Sequence, residues 1–378
     1  MQLSKFFSIS AFKFWISAGF GLATALPIMG IPAIASAQSL GDPVQLAQVD
    51  QSLTLLRNIQ HGRNVNAIAF SPNGQMLASA GGDSLIRVWD VNATLQGDDK
   101  RQMRRLISIP AVDRYVTSLA FSPDNRYLVT GTFNGDVRIW DLNVCEPDRP
   151  VCNSQLVLER DYVGVAPVVK FSPSGRLLAA SNYDGTVTLW DWASRQVIAI
   201  LEPETGAHDG ERLDGRFSSL TFSPDENYLV AGSHDDFITL WSLNPEDEFD
   251  RLATIDTRNG VDSVVFSPDG QFLASGNYQG VEMRSIRLRR GRLQIEEQTN
   301  LEVGERVNTM VFLPDGQSLF IGDNRDQVGL WDTQEEQPLI NISADQQHVR
   351  PVLMVALSPI GDLLASASTD GVIKFWRH

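Results

Sequence analysis

The stretch VNAIAFSPNGQMLASAGGDSLIRVWD, residues 65–90, contains the pattern that decides the fold. Its short apolar runs are separated by SPNG and GGDS, two turn sequences in which Pro, Asn, Asp and Gly favour the bends. Short apolar runs bounded by such turns are typical of antiparallel strands. The stretch therefore predicts three β-strands joined by tight turns.

This pattern occurs seven times along the chain. A proline follows the first strand of every copy, at Pro72, Pro123, Pro173, Pro224, Pro268, Pro314 and Pro359. The third strand ends, at a constant spacing from that point, with Trp89, Trp140, Trp190, Trp241, Ser285, Trp331 and Trp376. A fourth apolar run is visible between copies, as in QLVLE and QVIAI. Seven copies of four strands predict an all-β, seven-bladed β-propeller of four-stranded antiparallel blades.

The copies resemble the WD-repeat family over about residues 53–378, because an aspartate follows the tryptophan at Trp89, Trp140, Trp190 and Trp331. The resemblance implies a buried hydrogen-bonded tetrad of His, Ser or Thr, Asp and Trp in a blade. Two copies have every member: His61, Ser79, Asp83 and Trp89 in the first, and His348, Ser366, Asp370 and Trp376 in the last. A His/Ser/Asp trio also occurs in hydrolases, but there the nucleophile is exposed in a cleft. We therefore interpret both tetrads as structural.

The two ends of the repeat region complement each other. The chain stops two residues after Trp376, before the last copy could form a fourth strand. The run LTLLRNIQ, residues 53–60, precedes the first copy and has no other assignment. We expect this N-terminal strand to complete the last blade and close the ring.

The first 37 residues have the composition of a secretory signal peptide. They contain Lys5 and Lys13 as their only charges, an apolar run over 14–34, and an Ala-Ser-Ala sequence ending at Ala37. These features predict cleavage after Ala37, a linker over 38–50, a propeller over 51–378, and export to a periplasm, a lumen or the cell exterior. The alternative is an uncleaved membrane anchor, since about 20 apolar residues can span a bilayer. Pro27, Gly30 and Pro32 interrupt the run and disfavour that alternative.

Charge, cysteine and histidine content bear on which ligands and cross-links the protein can have. Without Lys5 and Lys13 the chain has 29 basic and 46 acidic residues, a net charge of −17, which disfavours binding to nucleic acids. In an oxidising compartment Cys145 and Cys152 are expected to form a disulfide that closes a small loop. Of the five histidines, His61 and His348 are assigned to the tetrads and His208, His234 and His378 are scattered, so we expect no metal or other cofactor.

The family resemblance also implies a contact surface on one face of the ring, the top face. The residue before each tetrad Asp is its contact position in the family, and the connections into the first strands lie on the same face. Aromatic and arginine side chains, which are enriched at interface hot spots, occupy many of them. We expect a protein partner to contact Arg63, Arg114, Phe133, Tyr183, Arg216, His234, Tyr278, Arg306 and Arg350. The alternative is that these aromatic side chains pack on neighbouring blades and the arginines offset the acidic surface.

Together these features favour an exported, non-enzymatic and monomeric scaffold that binds a protein partner on its top face. One alternative is a propeller enzyme, such as a lactonase or another hydrolase, with its site at the central channel. Another is a structural subunit of a cell-envelope complex that makes contact through its basic fifth copy, which contains Arg284, Arg287, Arg289, Arg290 and Arg292.

Overall fold

The computed structural model describes residues 53–96, 105–111, 115–145, 156–158, 168–182, 184–203, 217–244, 246, 249–257, 259–289, 292–340, 342 and 346–377. These residues form seven four-stranded antiparallel sheets, which confirms the predicted seven-bladed propeller. All of them lie in one compact unit, Val49–His378. The proposed signal peptide and linker lie outside the described residues.

Each sheet has an inner pair of strands. The innermost strands are β2 (Val65–Phe70), β6 (Val116–Phe121), β10 (Val169–Phe171), β14 (Phe217–Phe222), β18 (Ser263–Phe266), β22 (Val307–Phe312) and β26 (Val352–Leu357). The second strands are β3 (Met76–Gly81), β7 (Tyr127–Thr132), β11 (Leu177–Ser181), β15 (Tyr228–Ser233), β19 (Phe272–Gly276), β23 (Ser318–Asp323) and β27 (Leu363–Ser368).

Two further strands complete each sheet. The third strands are β4 (Leu85–Asp90), β8 (Val137–Asp141), β12 (Val187–Asp191), β16 (Phe237–Ser242), β20 (Val281–Arg289), β24 (Val328–Asp332) and β28 (Val372–Arg377). The outer strands are β5 (Arg105–Pro110), β9 (Leu156–Leu158), β13 (Gln196–Leu201), β17 (Arg251–Asp256), β21 (Arg292–Leu301), β25 (Gln337–Ile340) and, for the last blade, β1 (Thr54–Gln60). The described helices are one α-helix, α1 (Val91–Gln96), and a 3-10 helix, Leu142–Val144.

The innermost strands contact each other in a closed circle. β2 contacts β6, and the contacts continue through β10, β14, β18, β22 and β26 back to β2. Polar side chains join neighbouring blades within this circle: Ser118 Oγ accepts the Val169 N–H at 3.1 Å, and Thr309 Oγ1 accepts the Val355 N–H at 3.1 Å. Each blade is therefore held by its neighbours at the centre of the ring.

The N-terminal strand closes the ring as predicted. β1 pairs antiparallel with β28, with Leu55 opposite Trp376 and Gln60 opposite Val372. Ile59 on β1 is fully buried among residues of the first and last blades. The last blade therefore consists of strands from both ends of the propeller.

The Ser-Pro turn between the first and second strands has the same geometry in different blades. In the first blade Ser71 Oγ accepts the Met76 N–H at 2.9 Å, and Gly74 adopts a positive φ of 69°. Tyr127, Tyr228 and Phe272 donate to the equivalent serines at the same distance. The serine is recurrent because its buried hydroxyl satisfies the backbone that the turn leaves unpaired.

The fifth blade departs from the predicted register. In the other blades the recurrent leucine of the second strand faces the tryptophan, as Leu77 faces Trp89, but Leu273 faces Arg284. The assignment of Ser285 to the tryptophan position is therefore wrong by one residue. The cause is a turn shortened by one residue: Asn277 N–H bonds to Gly280 O, whereas Thr132 N–H bonds to Asp136 O. Gly280 has a φ of 147°, and a Cβ there would lie 2.2 Å from the Leu301 carbonyl oxygen.

Arg284 replaces the tryptophan in its hydrogen bond as well as in its position. Its Nη1 donates to Ser275 Oγ at 3.0 Å, as Trp89 Nε1 donates to Ser79 Oγ at 2.7 Å. The guanidinium is buried and forms an ion pair with Glu282. The fifth blade thus has an internal ion pair where other blades have an indole.

The described residues bear only in part on the predicted disulfide and on the membrane-anchor alternative. Cys145 is buried after the 3-10 helix, but Cys152 lies outside the described residues, so the disulfide stays a prediction. The described part of the chain contains no helix with the length and apolar character needed to cross a lipid bilayer.

Candidate functional site

The top face is built from backbone hydrogen bonds that repeat around the ring. The turn between the second and third strands donates an N–H to the residue before the inner strand of the same blade. The pairs are Gly82 to Asn64 at 2.9 Å, Phe133 to Tyr115 at 2.8 Å, Asn324 to Arg306 at 3.0 Å and Thr369 to Pro351 at 3.2 Å. Each blade therefore presents two loops side by side, and we use "top face" for the surface that these loops form.

The tetrad of the last blade fixes such a pair of loops. His348 Nδ1 lies 3.1 Å from Asp370 Oδ2, and its Nε2 lies 2.8 Å from Ser366 Oγ. Trp376 Nε1 donates to the same hydroxyl at 2.9 Å. Burial by itself would raise the pKa of Asp370, but hydrogen bonds from His348 and the backbone N–H of Val372 outweigh it and lower that pKa. The carboxylate thus stays charged and holds the histidine.

The tetrad of the first blade has the opposite ring orientation. His61 Nδ1 lies 2.9 Å from Ser79 Oγ, which also accepts Trp89 Nε1 at 2.7 Å. His61 Nε2 lies 3.3 Å from Asp83 Oδ1. His61 thus contacts both Ser79 and Asp83, but its two ring nitrogens have exchanged partners relative to His348.

Arg87 explains this exchange. Its Nη1 lies 3.0 Å from His61 Nε2 and donates to Asp83 Oδ2 at 2.6 Å. Burial first, and then the positive charge of Arg87, lower the pKa of His61 to about 4. A neutral ring that accepts from Arg87 at Nε2 must carry its proton on Nδ1 and donate it to Ser79. Sequence reasoning missed Arg87 because it lies outside the tetrad pattern.

An exposed aromatic pair lies on the top of the second blade. The ring centroids of Phe133 and Tyr115 are 6.2 Å apart in an edge-to-face arrangement, with exposed fractions of 49% and 47%. A Cβ placed on Gly82 of the first blade would lie 3.9 Å from the Tyr115 ring, so the pair reaches the neighbouring blade. Tyr115 was missed from the sequence, although its position beside Arg114 could have suggested it.

An ionic cluster joins the fourth, fifth and sixth blades. Arg306 forms two hydrogen bonds to Asp262, from Nε at 2.8 Å and from Nη2 at 2.6 Å. His234 Nδ1 lies 3.5 Å from the same carboxylate. The hydrogen bond to Asp262 raises the pKa of Arg306. His234 and Arg306 were predicted from the sequence, whereas Asp262, which holds them together, was not.

The other predicted contact residues fall into two groups. Tyr278 is 56% exposed, and it lies beside the ionic cluster because Asn277 O accepts the Val307 N–H at 2.9 Å. Arg63 and Arg350 are exposed before the inner strands of the first and last blades. Arg114, Tyr183 and Arg216 lie outside the described residues. The structure thus separates an aromatic pair on blade two from an ionic cluster on blades four to six.

Among the described strands, the longest pair belongs to the basic fifth blade. β20 has nine residues and β21 has ten, with Arg287 opposite Gln294 and Arg289 opposite Arg292. Arg287 is exposed, whereas Arg284 is buried in its ion pair. The hairpin therefore presents fewer free cations than its sequence suggests. Across the described residues no three His, Cys, Asp or Glu side chains converge as a metal site.

Comparison with known proteins agrees with the geometry. The family of the WD domain, G-beta repeat, matches residues 53–90, 106–141, 163–191, 206–242, 250–281 and 341–377. A guanine nucleotide-binding protein subunit beta from Zea mays is 26% identical over 324 residues, which cover 82% of this chain and 69% of that protein. The transcriptional corepressor LEUNIG_HOMOLOG from Arabidopsis thaliana is 24% identical over 309 residues, which cover 82% of this chain but 34% of the corepressor.

The family matches extend over more than half of the chain and end near the tryptophan or aspartate of the third strand in most blades. The first match begins at the closing strand, and no match covers the strands of the sixth blade, β22–β25, which the structure shows as a seventh repeat of the same sheet. This chain belongs to the WD-repeat family of β-propellers.

Proposed function

We propose that this protein is an exported, non-enzymatic scaffold that holds a protein partner on its top face. The supporting observation is the pairing of Phe133 with Tyr115, two aromatic side chains that are each about half exposed. Exposed aromatic side chains of this size are costly in water and are enriched among interface hot spots. The named relatives are subunits or regulators that work with other proteins, in agreement with a scaffold.

The ionic cluster supports the same surface. Asp262 neutralises Arg306 and fixes the guanidinium at the rim of the top face, and Tyr278 is exposed beside it. Positioned arginines lose less side-chain entropy on binding than free ones, which favours a specific contact. A partner that spans the ring would contact the aromatic pair and the ionic cluster together.

The test is capture of partners from the native compartment by the tagged full chain, followed by affinity measurement with the purified partner. Replacement of Tyr115 and Phe133 by Ala should weaken binding about tenfold or more, the cost of losing one or two hot spots. Ile360→Ala is the matched control, because Ile360 is 80% exposed in the turn between β26 and β27, on the opposite face. Equal capture by wild type, the double variant and the control would contradict the proposal.

The envelope-subunit alternative depends on a different surface, the β20–β21 hairpin. The extra length of this hairpin and the exposed Arg287 are the observations that favour it. Arg287→Glu should abolish capture under this alternative, and should leave it unchanged if the partner binds the top face.

A further inference from the structure

The innermost strands of the propeller are almost free of charge. Their sequences are VNAIAF, VTSLAF, VKF, FSSLTF, SVVF, VNTMVF and VLMVAL, in the order of the blades. Within these described strands Lys170 of the third blade is the only ionisable residue. A single cation in the circle of strands around the axis requires a physical explanation, because unpaired charge is unfavourable in protein interiors.

The position of Lys170 is occupied by small or apolar side chains elsewhere. Counted back from the Phe or Leu that ends each inner strand, the equivalents are Ala69, Ala120, Thr221, Val265, Val311 and Ala356. All of these are buried or half-buried, whereas Lys170 is exposed. Its neighbours in the strand, Val169 and Phe171, pack into the core between the second and third blades, so the lysine points away from that core.

Two properties of Lys170 together locate its amino group. The side chain is accessible to water, yet burial among protein atoms lowers its pKa. An outer surface would give accessibility without the burial effect, and a packed core would give burial without accessibility. A water-filled channel enclosed by protein gives both, and β10 belongs to the closed circle of strands that surrounds the axis. Lys170 therefore extends into the central channel.

The channel offers Lys170 no counter-ion within the described residues. No ion pair or hydrogen bond to its amino group occurs there, and no acidic group contributes to its pKa shift. The hydroxyl of Ser118, on the neighbouring inner strand, is bonded to the backbone N–H and carbonyl of Val169. Lys374, by contrast, is buried with its Nζ donating to the carbonyls of Gln346 and Gln347, each at 2.6 Å. Lys170 thus has three N–H donors available to a ligand.

We propose that the central channel is a binding site for a small oxyanion, a phosphate or carboxylate group, with Lys170 as its cation. An anion of this class supplies the charge that the channel lacks and accepts the free N–H donors. Because the described inner strands contain no other ionisable residue, the ion pair is less screened there than on the outer surface. This proposal does not depend on the top-face partner and is tested separately from it.

The test uses the full chain with potassium phosphate and sodium succinate as separate probes, at constant ionic strength maintained with chloride. Isothermal titration and thermal melts should show saturable binding and a rise in Tm with at least one probe. Succinate binding without phosphate binding would identify a carboxylate group as the ligand, and the reverse would identify a phosphate. Absence of saturable binding by both probes would overturn the proposal.

Variants separate the site from general charge effects. Lys170→Met should weaken anion binding at least tenfold while the protein stays folded, because Met fills a similar volume without a charge. Lys170→Arg should retain binding, since it keeps the cation. Arg251→Met is the matched control, because it removes one exposed cation from the outer strand of the fourth blade. Equal affinity in wild type and Lys170→Met would overturn the proposal.

Chemical labelling provides a second readout that does not depend on stability. The chain has lysines only at positions 5, 13, 100, 170 and 374, so peptide mass spectrometry can follow each one. With trace acetic anhydride near neutral pH, Lys170 should react readily because its lowered pKa leaves more free amine. A saturating probe anion should protect Lys170 and leave Lys100 unchanged. Unchanged labelling of Lys170 at saturation would place the anion elsewhere and overturn the assignment.

Discussion

His61 makes stability depend on pH in a calculable way. Its pKa is lowered from 6.5 to about 4 in the folded protein, first by burial and then by Arg87. Because the folded pKa is below the unfolded one, the unfolded chain takes up a proton between pH 6.5 and pH 4 and the folded protein does not. Stability is therefore complete above pH 6.5 and declines as the pH falls towards 4.

The size of this decline follows from the shift. At 1.36 kcal/mol per pKa unit, the full shift corresponds to about 3 kcal/mol, of which about 2 kcal/mol is lost between pH 7 and pH 5. Asp370 does not obscure this window, because its lowered pKa makes stability fall only at more acidic pH, below about 4.

The assay is equilibrium urea unfolding of the full-length protein at pH 7 and pH 5, with His61→Asn as the comparison. The variant should be less stable at pH 7 but should lose about 2 kcal/mol less than the wild type on acidification. Arg87→Met should give an intermediate loss, because removal of the guanidinium charge raises the pKa of His61. Equal losses in wild type and His61→Asn would refute the inference that His61 is buried and neutral.

Two further changes test the seam and the fifth blade by thermal or urea unfolding. Ile59→Ala should cost about 2–4 kcal/mol of unfolding free energy, because it leaves a cavity at a fully buried site between the first and last blades. Thr54→Ala, at an exposed position of the same strand, is the control and should change stability little. Deletion of residues 51–60 should lower the Tm sharply, and an unchanged melt would contradict closure by β1. Arg284→Met should cost about 3 kcal/mol, because it leaves the half-buried charge of Glu282 without its cation. The double variant with Glu282→Gln should recover part of that loss, and equal stability of the single and double variants would contradict the ion pair.

The sequence predicted the blades because their strands are local and their turns are marked by Pro, Gly and Asp at constant spacing. It failed in the fifth blade because the loss of one turn residue moved Arg284 into the tryptophan position. Arg284 and Ser285 are both polar, so the residue types alone could not show which of them occupies the tryptophan position. Closure by residues 53–60 was predictable because one strand was missing at one end and in excess at the other.

The top face was only partly predictable, because its geometry depends on residues from different blades. Asp262 is one of many acidic residues in an acidic chain, and only the folded ring brings it to Arg306 and His234. The reversed ring of His61 depends likewise on Arg87, which lies on the neighbouring third strand. Such pairings are tertiary, and no local pattern marks them.

The pairing of β1 with β28 also orders events during synthesis. β1, the first strand of the propeller to leave the ribosome, must wait unpaired for β28, the last strand of the propeller. Contacts between such distant segments form slowly, since a loop of nearly the whole chain has to be closed first. Until then the edges of β1 and β28 can pair with strands of other chains, and a chaperone that covers one of these edges would raise the yield of folded protein.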